Sequence, residues 1–135
     1  MSFRVFDPIA NLVSSIYGNV PITNKIVYSS INDGDTLSLT LANTTYIQAF
    51  FDNGSGSVSA TLNILNQSIV KFGDTLNLIF SRQNTDNSVT INLPENFIYT
   101  TCGDLASSIS FNSALSIFVP FIYDGSNFVN TFDNC

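Results

Sequence analysis

The sequence predicts an all-β fold: an antiparallel β-sandwich, jelly-roll-like, with a short N-terminal arm or helix. Three observations carry this expectation. Polar and apolar residues alternate with a period of two from about residue 25 onward, turn-forming residues recur roughly every eight to twelve positions, and helical periodicity is nearly absent. With 135 residues, 44% of them hydrophobic, the chain has the length of one domain and the means to bury a core. The expected division is an arm or short helix over residues 1–21 and a sandwich over residues 22–135.

The N-terminal segment reads differently from the rest. Phe6-Asp7-Pro8-Ile9 opens like a helix, with Asp7 as N-cap and Pro8 at the first helical position, and Gly18 and Pro21 would end it. An extended arm lying on a neighbour is the alternative. Beyond it, Leu37, Leu39 and Leu41 alternate with Ser38 and Thr40. Val58, Ala60, Leu62 and Ile64 alternate with Ser59, Thr61 and Asn63, and Val89, Ile91 and Leu93 with Thr90 and Asn92. Residues 45–51, 76–80, 109–111, 115–123 and 128–132 complete eight to ten expected strands. Turn formers such as Asp52-Asn53-Gly54 and Asp124-Gly125 separate them.

Charge is scarce, 10% of residues against an ordinary level of roughly 25%. Ser, Thr and Asn, 18, 12 and 17 in number, supply the polar surface instead. Arg4, Lys25, Lys71 and Arg82 are scattered against ten acids, for a net charge of −6. That balance argues against nucleic acid and against anionic membrane surfaces, both of which call for clustered cations. No apolar run is long enough to span a bilayer as a helix, and MSFRVFDPIAN lacks the layout of a secretory signal. Cys102 and Cys135 are too few for a zinc site; one disulfide or two free thiols are both open.

The phrase GDTL occurs twice, at residues 34–37 and 73–76, each time ahead of an alternating apolar run. Glycine supplies a positive φ and aspartate accepts backbone N–H bonds, so Asp33, Asp35 and Asp74 are expected to build turns, as are Asp124 and Gly125. A calcium reading of Asp33 and Asp35 lacks the Glu that an EF-hand loop carries at its twelfth position, where this chain has Thr44. Catalysis also lacks its usual parts. The absence of histidine removes the commonest general base, and nothing pairs Glu95 with one of the nine aspartates for glycoside hydrolysis. The expectation is a non-enzymatic protein with no cofactor and no metal.

The twelve Phe and five Tyr point elsewhere. Ile117-Phe118-Val119-Pro120-Phe121-Ile122-Tyr123 is apolar on both faces of a strand, so its second face needs cover from the N-terminal segment or another subunit. Ordinary core is the other reading. Pro120, with no N–H to donate, is expected at an edge or a bulge.

GDTLNLIF, SVTINLP and SIFVPFIYDGSNFVN, in that order over about residues 73–132, resemble the C-terminal portion of β-rich head and decoration domains on viral and phage fibres and capsids. The most specific element is FIYDGSNF, where Phe128 stands at a position more often held by Trp in that family. An aromatic anchor is kept and the indole donor is lost. The resemblance implies a virion structural protein acting by oligomerisation and surface attachment, commonly a homotrimer, alongside other capsid or fibre proteins. The expected subunit interface comprises Ile117, Phe118, Phe121, Ile122, Tyr123 and Phe128. A carbohydrate-binding, lectin-like module is the alternative, with Tyr46, Tyr99 or Tyr123 stacking on host glycans.

Overall fold

A computed structural model describes residues 23–111 and 113–131. The expected helix or arm over residues 1–21 lies outside the described residues. Among these, 57% lie in strands and none in an α-helix. β1 (Thr23–Ile31), β3 (Thr44–Phe51), β5 (Thr75–Arg82), β10 (Ser116–Tyr123), β11 (Phe128–Asn130), β7 (Phe97–Thr101) and β8 (Asp104–Ala106) form a seven-stranded sheet in that spatial order. β2 (Thr36–Leu39), β4 (Val58–Ile64), β6 (Val89–Asn92) and β9 (Ser108–Ser110) form the second sheet. The all-β expectation is met; the antiparallel one is not.

The reason is the path of the chain. From β1 to β6 each strand is followed by one in the opposite sheet, so the chain winds around the core and returns to each sheet in the same direction. β1, β3 and β5 are therefore parallel, as are β2, β4 and β6. Period-two alternation reports a strand's buried face but not the direction of its neighbour. Asp52-Asn53-Gly54, expected to separate neighbouring strands, carries the chain across from one sheet to the other. Antiparallel strands close the winding: β10 lies against β5 and β9 against β6.

Two successive windings match at a constant offset. Thr44 pairs with Thr75 and Val58 with Val89, both 31 positions apart. Asn53 and Asn84 stand at the same offset in the connecting loops, and Asn53 ties them together. Its Oδ1 accepts the N–H groups of Gln83 (3.0 Å) and Asn84 (3.1 Å), and its Nδ2 donates to the carbonyls of Asn84 (3.1 Å) and Asn87 (2.7 Å). All four hydrogen-bonding positions of the amide are filled, which is what burial at 0% exposure demands.

Between the sheets the inward residues interdigitate. Leu37, Leu39, Ile47, Leu62, Leu76, Leu78, Phe80, Ile91 and Val119 are buried. Phe51 and Phe80 meet edge to face at 5.3 Å, and Phe97 packs on Phe121 (5.0 Å) and Phe128 (4.7 Å). Arg82 takes an inward position at the end of β5. Its Nε donates to the Ala114 carbonyl (2.9 Å) and its guanidinium lies 4.8 Å from the centre of the Phe111 ring. At the other end of the winding, Asn24 and Tyr28 of β1 donate to the Thr40 and Ser38 carbonyls, joining the two outermost strands. Burial raises the Tyr28 hydroxyl above its ordinary pKa, opposed in part by that bond.

Pro120 corrects a second expectation. It sits in the middle of β10, between β5 and β11. Its carbonyl accepts the Thr131 N–H (3.0 Å), so its nitrogen also faces the β11 side, just past the point where β11 ends at Asn130. The missing donor costs only the reciprocal bond to the Thr131 carbonyl at the frayed end of the pairing, and none to β5.

Candidate interaction surface

The aspartates come first, because their placement decides between turn and ligand. Gly34 (φ 88°) and Gly73 (φ 91°) each occupy the third position of a turn closed by a bond from the next residue: Asp35 N–H to the Asn32 carbonyl (3.1 Å), Asp74 N–H to that of Lys71 (3.0 Å). A positive φ at that position is where glycine is favoured. The side chains repeat the pattern: Asp35 Oδ2 accepts the Asn32 N–H at 2.8 Å, and Asp74 Oδ2 the Lys71 N–H at 2.9 Å. The first turn feeds β2 in the smaller sheet and the second feeds β5 in the larger, so GDTL is one local device used in two places.

Asp33 reaches across to β4, where its Oδ1 accepts the Ser59 N–H (2.8 Å). Asp124 accepts the N–H groups of Ser126 (2.9 Å) and Asn127 (2.7 Å) at the head of the β10–β11 hairpin, with Gly125 at φ 100°. The Asn127 and Ser126 bonds hold the Asp124 carboxyl below its ordinary pKa of 3.8. Each of the four carboxylates is turned to backbone. Among the described residues no group of three or more Cys, Asp or Glu is placed to hold a metal ion.

A cleft of about 450 Å³ opens beside the β7–β8 hairpin, lined by Leu93, Pro94, Phe97 and Leu105 with Glu95. Glu95 is its only carboxylate, so the cleft lacks the second acid of a glycosidase pair. The hairpin turns on Cys102 (φ 52°) and Gly103 (φ 82°), both positive as a type I′ turn requires. Cys102 is disulfide-bonded; Cys135 lies outside the described residues.

The expected interface residues separate by face. Phe121 and Phe128, at 0% exposure, belong to the core of this chain and cannot face a partner; Ile117 and Tyr123 pack against that core, half-buried. Phe118 (46% exposed) and Ile122 point outward with Ser116 and Pro120. Of the three candidate sugar-stacking tyrosines, Tyr46 is exposed, Tyr99 is buried and Tyr123 half-buried.

Register extends the outward residues of β10 into rows across the larger sheet. Phe118 lies opposite Ile79, then Gln48, then Val27. Pro120 lies opposite Asn77, then Tyr46, then Lys25. Ile122 has Val129 and then Ile98 on one side and Thr75 on the other, while Ser116 leads through Ser81 to Phe50. Asn77, near the middle, donates its Nδ2 to the Thr45 carbonyl (3.2 Å).

The smaller sheet provides the contrast. Its outward rows read Thr36–Thr61–Asn92–Ser108, Ser59–Thr90–Ser110 and Ser38–Asn63, with no apolar side chain among them. One chain thus carries a sheet face finished for water and another that is not. Val27, Tyr46 and Phe50 were not marked by the sequence as parts of one surface, because they come from β1 and β3 and meet β10 only through the parallel pairing. No family model and no curated protein matches the chain.

Proposed function

We propose that this protein is a non-enzymatic virion structural subunit, a capsid decoration, minor capsid or fibre-head protein, that works by oligomerisation and attachment through the outer face of its seven-stranded sheet. The observation that carries this reading is the difference between the two outer faces. Rows bearing Phe118, Ile79, Val27, Tyr46 and Ile122 cover one, and uncharged hydroxyls and amides cover the other. Apolar side chains gathered on one face gain free energy only when a partner removes them from water. The assignment to a virion is drawn from the resemblance over residues 73–132 alone.

The test is immunogold electron microscopy of particles purified from the culture that encodes the chain, using antibody against the folded domain. Gold on particle surfaces is the expected result. A chain recovered only outside the particle fractions would overturn the reading. A variant arm adds the surface: Phe118→Asp is expected to be lost from particles while Thr61→Asp on the opposite sheet is retained.

A further inference from the structure

The geometry points to a second copy of this chain as the occupant of the apolar face, the two seven-stranded sheets packing face to face about a two-fold axis near Ile79 and Phe118. This rests on the reading of that face as an assembly surface and adds its partner and symmetry. Three features argue for a like copy. The first is size: six strands at about 4.8 Å spacing, averaging about seven residues at about 3.3 Å per residue, give a footprint of roughly 600 Å², of the order of the standard ~800 Å² of accessible surface per partner.

The second is charge. The chain carries a net −6, so two copies repel unless the touching surfaces are free of acids. Among the described residues, Asp33, Asp35, Asp52, Asp74, Asp86, Glu95 and Asp124 lie in turns and loops, and Asp104 lies in β8 at the far edge of the sheet. The rows from β1 to β7 contain no carboxylate, and their one cation, Lys25, sits on the outermost strand, where it can stay in water at the rim. A basic partner would find no carboxylate on these rows to pair with, and an acidic one only Lys25 at the rim.

The third is the make-up of the centre of the face. Asn77 stands near it with one amide N–H bonded back to the Thr45 carbonyl, and the Gln48 amide, in the row of Ile79 and Phe118, is placed to bond its own copy across the axis. Around it, Tyr46, Phe50 and Phe118 supply the aromatic residues enriched at the centres of interfaces. Sheets stack at about 10 Å with strands within about 30° of alignment, which lets these side chains interleave with their own copies. Symmetry follows from the shape. A three-fold ring needs two different patches on every copy, whereas a single flat face is self-complementary only across a two-fold axis.

Light scattering and sedimentation velocity on the full chain at about 50 μM test the pairing. The expected mass is twice 14.7 kDa. Phe118→Asp is expected to weaken association at least about 100-fold with an unchanged far-ultraviolet circular dichroism spectrum, and Thr61→Asp to leave the dimer intact. Ile79→Cys reads the symmetry, because near a two-fold axis the new thiols of two copies meet and form an intermolecular disulfide on mild oxidation. A monomer, a trimer, a dimer indifferent to Phe118→Asp, or an Ile79→Cys dimer that does not cross-link overturns the proposal. The two readings fail separately: a monomer found on particles sinks only the pairing, and a dimer never found on particles sinks only the virion role.

Discussion

Replacing Asn53 with alanine removes a side chain that holds two loops together from inside the protein. In its absence Asn84 N–H, the Asn84 carbonyl and the Asn87 carbonyl lose a partner, while Gln83 N–H keeps its bond to the Phe51 carbonyl (3.1 Å). Three lost bonds at about 1 kcal/mol each set the scale. Water can reach Asn84 and Asn87, which are only half-buried, so the expected cost is about 2–3 kcal/mol and a fall in Tm of roughly 8 to 12 °C. Asn84→Ala is the control. Its Oδ1 accepts the local N–H groups of Asp86 (3.1 Å) and Asn87 (3.2 Å), and its only bond to the other loop is a long, exposed one from Nδ2 to the Gly54 carbonyl (3.4 Å), so its loss should cost about 1 kcal/mol. Asn53→Asp should do no better than Asn53→Ala, because it turns a buried acceptor toward two carbonyls. Equilibrium urea unfolding of the three variants decides the order. If Asn53→Ala costs no more than Asn84→Ala, the buried Asn53 amide contributes nothing beyond an exposed loop contact, and the reasoning fails.

Asp35→Ala and Asp74→Ala should each lower stability by about 1 kcal/mol, since each removes the same bond from the same turn; stabilisation of the wild type by calcium in a melting experiment would contradict this. Asp124 has a pH signature: its folded pKa lies below its ordinary 3.8, so its contribution is complete above that value and disappears as pH falls through the folded one. Wild type and Asp124→Ala should therefore converge in stability below the carboxylate range, as read by urea titrations across acid pH. Pro120→Ala should change stability by less than about 1 kcal/mol despite its central strand, because the restored N–H faces the end of β11; a melting curve showing a large loss would mean that the ring packs in a way the backbone geometry does not explain.

The strands were legible in the sequence where one face is buried and the other wet, as in Val58–Ile64 with its regular alternation. β7 and β8 escaped notice because Thr101-Cys102-Gly103-Asp104 does not look like the usual Asn-Gly hairpin turn, although Cys102 and Gly103 adopt its positive φ values. The winding escaped for a different reason. The visible repeat, GDTL at a spacing of 39, is a turn device, while the structural repeat at 31 is carried by scattered pairs: Thr44 and Thr75, Asn53 and Asn84, Ser57 and Ser88, Val58 and Val89, Leu62 and Leu93. A self-comparison at that spacing would have found it. Of the surface, Phe118 and Ile122 could be picked out because β10 is apolar on both sides, but Phe121 and Phe128 could not be told from them, since alternation alone does not say which face of a doubly apolar strand looks inward.

The winding also orders events during synthesis. β3 meets β1 after about twenty residues of chain, and β5 meets β3 after 31, so each coil can dock on one already made. β9 and β10, which cover the β6 and β5 edges, come late, followed only by β11 among the described strands. Until they do, β5 and β6 present parallel strand edges with unmet backbone groups, the kind of template on which a nascent chain can recruit the wrong neighbour. On a polysome, where identical chains grow side by side, the time between release of Asn92 and arrival of Ser116 is the interval in which a second β5 could take the place reserved for β10. A chaperone that delays such encounters would raise yield without touching the finished fold.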